Sequence, residues 1–579
     1  MLFATLDFLL FIVPVLAAYW LLVDRPGART ALLIGASYFF YMASPRPPDG
    51  SLPPAWYFAG LLAVSTVLDY VCSARIHARA PDLDTDDLAL ADQARRARRR
   101  WLTASLVGNL GLLGYFKYTN FFLEVMTDLA NAAGADWVAP HLDLILPIGI
   151  SFYTFQSLSY TIDVYRRRLT PEPNFWKFAL FVVFFPQLVA GPIVRASEFL
   201  PQLHRRPTLN LSDVEEATWR IFKGLAKKVI LGDWIAASFA DLVFATPEAF
   251  SSLENLLALY AFTLQIYADF SGYSDIAIGV ARLLGFKIPE NFDRPYQART
   301  LAEFWRRWHM TLSTWLRDYL FFPLGGSRGS AARTYFNLWL TMFLVGMWHG
   351  ASWNFVIYSN VHGLAMVFNR WNRLRAKKEG ATATSQALAV GGVALGLGLV
   401  SFGLGHSLLL LSQASSIKLG VFAAVMLVLG AYVPADGSWT THVARLVMTF
   451  HFTVISRIFF RAEDLDLARQ MSTKLVEWDF RGVRPGLFRV QGMSAWAEGL
   501  EQAPAALKVA LVGLAEYGLL IVLVLGTAYH FTPREWVEER LRGVFVRLPG
   551  PVLGIAFALL AVIIMNLLSG PRANIYFAF

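Results

Sequence analysis

Two histidines, His309 and His349, stand in the stretch from Phe304 to Gly350, FWRRWHMTLSTWLRDYLFFPLGGSRGSAARTYFNLWLTMFLVGMWHG, inside a chain that is 56% hydrophobic and 16% charged. An imidazole ionises near neutral pH, so it can take a proton from a hydroxyl and hand it on. Ionisable groups at membrane depth are costly to bury and mark functional sites by default. The plainer reading is a neutral imidazole bonded to a nearby carbonyl, with Gly346 and Gly350 there for close helix packing. Both readings stay open on the residues alone.

The elements that must position these histidines follow from periodicity. At 100° per residue, a helix from Trp305 to Phe322 gathers Arg306, His309, Ser313 and Arg317 within about 80°. Trp305, Trp308, Leu312, Trp315 and Tyr319 form a second, aromatic stripe. That pattern also suits an amphipathic helix at the membrane interface. The next apolar run, Tyr335 to Trp348, has 14 residues and would rise roughly 21 Å. Gly350 to Trp353 then interrupts it before a second run ending near Phe368. Positive charge flanks the pair on both sides, at Arg306 and Arg307 and again from Arg370 to Lys378. This predicts a hairpin that leaves His349 at its turn, within the depth of the bilayer, where broken backbone must be buried in protein or line a wet cavity.

The composition excludes several classes. Soluble domains usually carry about 25% charged residues, so the chain reads as an all-α polytopic membrane protein. Its single cysteine, Cys72, excludes a disulfide framework and a CxxC metal site. The net charge of +9 comes from basic residues between apolar spans, a mark of membrane topology and not of nucleic-acid binding. The sequence has neither a Walker A loop nor an HExxH helix, and no metal is expected.

Short basic loops stay cytoplasmic, which places the N-terminus outside and threads the chain. Spans are expected near 1–22, 31–44, 57–74, 102–124, 144–165, 229–249 and 257–284, with about five more in 386–570. The run 175–194 lies between the basic triplet Arg166 to Arg168 and a second basic region, Arg195 to Lys228. With Pro186, Gly191 and Pro192 it reads as re-entrant. The segment Arg461 to Ala506 is expected outside. Asp269 and Asp275 sit in an apolar context six positions apart, so a helix separates them. They read as anchors of a polar interior held by arginine or backbone donors. Asp163 reads as an ion-pair partner at the interface, and His362 as structural.

Several longer motifs together resemble the membrane-bound O-acyltransferase (MBOAT) family, in its bacterial alginate O-acetyltransferase-like branch. They are LPIGISFYTFQSLSYTIDVYRR (146–167), FFPQLVAGPIVRASEFLPQL (184–203), YADFSGYSDIAIGVARLLGF (267–286), NFDRPY (291–296), EFWRRWHMTLSTWLRDYLFFPLGG (303–326) and GMWHG (346–350). HFTVISRIFFRAED (451–464) and the terminal IYFAF extend the likeness.

The resemblance implies a multi-helix fold with re-entrant and short helices around a transmembrane tunnel. In it, an acyl group moves from a cytoplasmic thioester donor to a hydroxyl. It divides the chain into N-terminal spans (1–100), a catalytic core (101–370) and C-terminal spans with an external loop near 461–506 (371–579). The family's invariant histidine maps onto His349, and its second active-site position onto His309.

Donor phosphates are expected at Arg294, Arg299, Arg306, Arg307 and Arg328, with Ser313 and Arg317 nearby, since guanidinium pairs well with phosphate. Asp269, Asp275 and Asn354 are expected as polar groups of the tunnel. No bound cofactor is expected, acetyl-CoA or another acyl thioester being the substrate. The expected partners are membrane lipid, a polysaccharide acceptor and an extracytoplasmic acetyltransferase protein, at a bacterial cytoplasmic membrane. D-alanyl transfer to a cell-envelope polymer, and a carrier or scaffold without catalysis, are the alternatives.

Overall fold

A 32-residue helix carries the buried polar centre of the molecule. In this computed structural model, which describes residues 3, 5–43, 55–235, 239–378, 439–479, 482–484, 486–488 and 505–567, regular structure among the described residues is helical. The chain begins with α1 (Leu6–Leu21), α2 (Pro26–Met42), α3 (Ala55–Ala78) and α4 (Leu88–Ala132). At 45 residues, α4 absorbs both the basic run Gln93–Trp101 and the span expected at 102–124 into one helix. The division expected at residue 100 falls inside it, with no break.

The helix α5 (Ile150–Tyr165) starts later than the expected 144, because Pro147 precedes it and Gly149 takes a left-handed turn at φ 76°. A side chain at Gly149 would also meet the carbonyl oxygen of Leu188 at 2.6 Å. The Asp69 carboxylate joins three of these helices. It accepts from the hydroxyl of Ser105 (2.5 Å) and the amide of Asn109 (2.9 Å) on α4, and from Thr161 (3.4 Å) on α5.

The expected re-entrant run becomes α6 (Phe175–Val183) and α7 (Phe185–Leu188), broken at Phe184 and buried throughout α7. Nine residues rise only about 13 Å, too little to cross a bilayer. The helices α8 (Ala196–Leu203) and α9 (Leu211–Ala226) follow. Within the span expected at 229–249 lie a π-helical segment, Lys227–Trp234, and the short α10 (Asp241–Ala245), with residues 236–238 between them outside the described residues.

The central helix, α11 (Ser252–Leu283), opens with a capping box between Ser251 and Glu254 and is buried along most of its length. Glycines set its distance from α9. A Cβ on Gly224 would lie 2.7 Å from the carbonyl oxygen of Gly272, and one on Gly272 would lie 2.7 Å from that of Gly224. Small residues at such crossings let helix backbones touch.

The remaining helices are α12 (Leu301–Arg307), α13 (Met310–Leu316), α14 (Ala331–His349) and α15 (Trp353–Lys378), then α16 (Trp439–Arg461), α17 (Leu465–Glu477), α18 (Ala505–Phe531), α19 (Arg542–Arg547) and α20 (Gly550–Leu567). The boundary expected at residue 370 lies inside α15. The segment expected as an external loop contains a helix, α17, held to the start of α11 where the Ser252 hydroxyl donates to the Lys474 carbonyl at 2.6 Å. The tryptophan Trp496 and the spans expected between 386 and 438 lie outside the described residues.

By length and composition, two described helical stretches can cross a membrane outright, Trp56–Ala78 and His442–Arg461, and a pair bent by 111°, Trp536–Arg547 with Gly550–Leu560, makes a third if counted as one. Among the described residues, α11 carries buried charge along its length, and other expected spans are short or broken helices.

Candidate active site

His309 does not sit on a continuous helix. The helix expected from Trp305 to Phe322 breaks between α12 and α13, where Trp308 is extended and His309 takes φ 44°, ψ 56°. The cause lies in the loop before α12. The Arg307 carbonyl accepts from the Asp293 N–H at 2.9 Å, and the Met310 N–H donates to the Asn291 carbonyl at 2.9 Å. A continuous helix would have used both groups internally. Left-handed backbone at a non-glycine residue costs of order 1–3 kcal/mol and persists only where surroundings over-determine it. Here they do: the Asn291 side-chain oxygen lies 3.0 Å from His309 Nδ1 and accepts from the Thr311 hydroxyl at 2.9 Å.

The His309 ring is fully buried among aromatic rings. Its centroid lies 4.8 Å from Phe270 and 5.7 Å from Trp348, both edge-on, and 6.1 Å from Phe152 in a stacked pair. The aromatic stripe opposite is core and not lipid-facing: Trp305, Trp308, Leu312 and Trp315 are all buried.

His349 is the last residue of α14, so the hairpin turn falls there as expected, though the limb is 19 residues long where 14 were expected. Ser330 caps its start four residues before Thr334 and recruits the stretch from Ala331. Both flanking glycines serve packing. A Cβ on Gly346 would strike Ser359 of α15, and one on Gly350 would strike the ring of Phe355. The His349 ring lies 4.9 Å from Trp348 and 5.2 Å from Phe460. Trp348 therefore touches both histidines.

Two cavities flank this core. One is lined by His349, Trp348, Lys117, Ser151, Phe152 and Phe460, with Leu146 to Ile150 and Val189. The other is polar and includes Arg220, Lys223, Lys227, Asp275, Asn291, Arg294, His530, Arg534 and Glu538. Asn291 lines the polar cavity and bonds His309. Phe152 and Trp348 line the first and contact the same ring. His309 thus sits in the partition.

The other expected residues scatter. Arg294 lines the polar cavity. Arg307 pairs with Glu303 at 2.8 Å and Asp293 at 3.6 Å. Arg299 bonds His442 at 2.9 Å, Arg306 holds its own helix through the Ala302 carbonyl, and Arg328 is exposed in a turn. Arg317 is exposed and pairs with Asp318 at 2.8 Å, while the Ser313 hydroxyl donates to the Trp308 carbonyl. Asn354 clamps helices together, donating to the carbonyls of Ala462 and Asp464.

The partners of Asp269 and Asp275 are lysines as well as arginine, a correction to the expected arginine or backbone donors. Lys227 lies 2.7 Å from Asp275, Arg220 lies 3.5 Å from it, and Lys228 pairs with Asp269. The wide π turn aims both lysines at α11. Asp163 accepts from the Tyr319 hydroxyl at 2.6 Å, where an interfacial ion pair was expected. His362 bonds the Ser456 hydroxyl at 3.0 Å.

Residues 150–402 match the MBOAT, membrane-bound O-acyltransferase, family. The chain is 41% identical over 381 residues to a probable alginate O-acetylase of Azotobacter vinelandii, covering 65% of this chain and 70% of that one. The chain belongs to the membrane-bound O-acyltransferase family. It is also 36% identical over 336 residues to a peptidoglycan O-acetyltransferase of Helicobacter pylori, covering 54% of this chain and 60% of that one. A teichoic acid D-alanyltransferase of Bacillus subtilis is 31% identical over 247 residues, covering 40% and 62%.

Three groups of this acyltransferase escaped the sequence reading. Lys117 is the only charge between Trp101 and Glu124, a signal that was there to be used. Asn291 opens the quoted NFDRPY motif, but nothing in the motif points to His309. Arg457, fully buried, lies over the rings of Trp308 (4.7 Å) and Phe460 (5.2 Å), one beside each histidine.

Proposed function

We propose that this O-acyltransferase moves an acetyl group from a cytoplasmic acyl thioester, acetyl-CoA, to a hydroxyl of an extracytoplasmic polysaccharide or of a partner acetyltransferase that passes it on. The observation that carries this reading is the contact chain from the polar cavity through Asn291, His309 and Trp348 to His349 in the second cavity. Two cavities meeting at a histidine pair suit a donor and an acceptor that arrive from different sides.

In this account His349 is the general base on the acceptor hydroxyl, a role usually worth about 10² to 10⁴ in rate. His309 shares or relays the proton. Arg294 and the basic residues of the polar cavity meet the donor. The acetyl group is favoured over D-alanyl because the identity to acetyl-transferring relatives is higher, 41% and 36% against 31%. The test offers purified protein in lipid nanodiscs radiolabelled acetyl-CoA and, separately, a D-alanyl thioester. Acetyl capture by polymer or partner supports the reading, and capture of D-alanine alone overturns it.

A further inference from the structure

A helix ends with carbonyl groups that lack internal partners, and α14 ends at His349. Side chains of α4 meet that need. The Tyr118 hydroxyl donates to the Met347 carbonyl at 2.9 Å, and the Lys117 ammonium donates to the carbonyls of Trp348 and of His349, the latter at 3.1 Å. Lys117 also lies over the Trp348 ring, 5.8 Å from its centroid.

Capping accounts for only part of this arrangement. An ammonium has three N–H donors, and two carbonyls occupy two of them. Lys117 is only partly buried and lines the same cavity as His349. Among the described residues lining that cavity it is the one lysine, with no arginine or carboxylate beside it, and no carboxylate of the described residues lies within ion-pair distance of it. Trp348, which lines the cavity as well, has an indole N–H without a hydrogen-bond partner among the described residues. The rest of the wall is largely apolar, so charge there is weakly screened.

We infer that Lys117 is a catalytic residue, whose third N–H stabilises the acyl oxygen as negative charge builds on it. The inference rests on the acyl transfer proposed above. The acceptor oxygen gives its proton to His349 and bonds to the thioester carbon. The carbonyl π electrons move onto oxygen, where the Lys117 ammonium, staying protonated, donates a hydrogen bond. Collapse restores the carbonyl and breaks the carbon–sulfur bond, and the proton held by His349 goes to the leaving thiolate. Thioester and alcohol become ester and thiol. Two backbone anchors hold the ammonium in advance, which is what makes such a donor effective.

The test compares Lys117→Met, Lys117→Gln and Lys117→Arg, each at matched membrane abundance. Base-labile ester on the cell envelope is measured in cells lacking the native gene, and donor kinetics on the purified full chain. The expected result is a fall of about 10²-fold or more in kcat for both uncharged variants, with KM for the donor within threefold, and recovery of a tenth or more of the activity in Lys117→Arg. Glutamine keeps amide donors for the helix end but loses the charge. If Lys117→Gln restores activity, Lys117 is a helix cap only and the inference falls. It falls equally if Lys117→Met stays within threefold of wild type. Should wild type form ester in cells but ignore purified acetyl-CoA, the proposed donor is wrong, while the ester content of the variants still decides the role of Lys117.

Discussion

The Nδ1 of His309 lies 3.0 Å from the side-chain oxygen of Asn291. That oxygen also accepts from the Thr311 hydroxyl at 2.9 Å, and the Asn291 amide nitrogen faces the Ser274 hydroxyl at 3.4 Å. An oxygen facing Nδ1 assigns the proton to Nδ1, which leaves the lone pair on Nε2. A neutral His309 in this tautomer can accept a proton but cannot donate one from Nε2. Sharing a proton therefore fits this geometry, and polarising a thioester carbonyl by donation from Nε2 does not.

Replacing Asn291 therefore tests the tautomer. Asn291→Asp keeps an acceptor for Nδ1 and Thr311, whereas Asn291→Leu removes it. We expect Asn291→Leu to lose about 10²-fold or more in transfer, with Asn291→Asp clearly more active at equal abundance. Equal activity in the two variants would show that the Asn291 oxygen does not set the state of His309.

The close crossing of α9 and α11 predicts a steric cost. Gly272→Ala places a methyl 2.7 Å from the carbonyl oxygen of Gly224, a backbone atom that cannot move aside alone. Overpacking of this kind typically costs about 1–3 kcal/mol. Thermal unfolding in detergent should show it, with Gly60→Ala as the control, since a Cβ there meets nothing within 4 Å.

The Lys228 and Asp269 pair is buried, with side chains 9% and 2% exposed. Lys228 also pairs with Asp233 at 2.7 Å, so removing the lysine leaves two carboxylates without their counter-ion. Lys228→Met alone should cost about 3–5 kcal/mol, and Lys228→Met with Asp269→Leu should recover the share due to Asp269, Asp233 staying unpaired in both. Detergent unfolding of the two variants measures both. A double variant no more stable than the single one would show that the pair does not act as a unit.

Much of the site's frame could be read from residue order alone. Charge on both sides of an apolar pair, with Gly350 between its limbs, places His349 at a turn, and α14 and α15 meet there. Pro186 and Gly191 likewise mark the broken run that became α6 and α7. The break at His309 could not be read, because periodicity describes neighbours on one helix. The groups that open this helix, Asn291 and Asp293, come from a preceding loop and act through tertiary hydrogen bonds. Lys117 was legible as a lone charge, but its bond to the end of α14 spans more than two hundred residues. The donor arginines were chosen by charge and proximity in sequence. Of them Arg294 lines the polar cavity, whose other cations arrive from α9, its π turn and the segment after α18.

The measurement that bears most directly on this account is release of free CoA from labelled acetyl-CoA, with capture of the label by acceptor or partner, in wild type and His349→Ala at matched folding. The account predicts transfer by wild type and a loss of at least about 10²-fold in the variant, without loss of the folded protein. Equal transfer by the two proteins would contradict it and make His349 a structural end to α14.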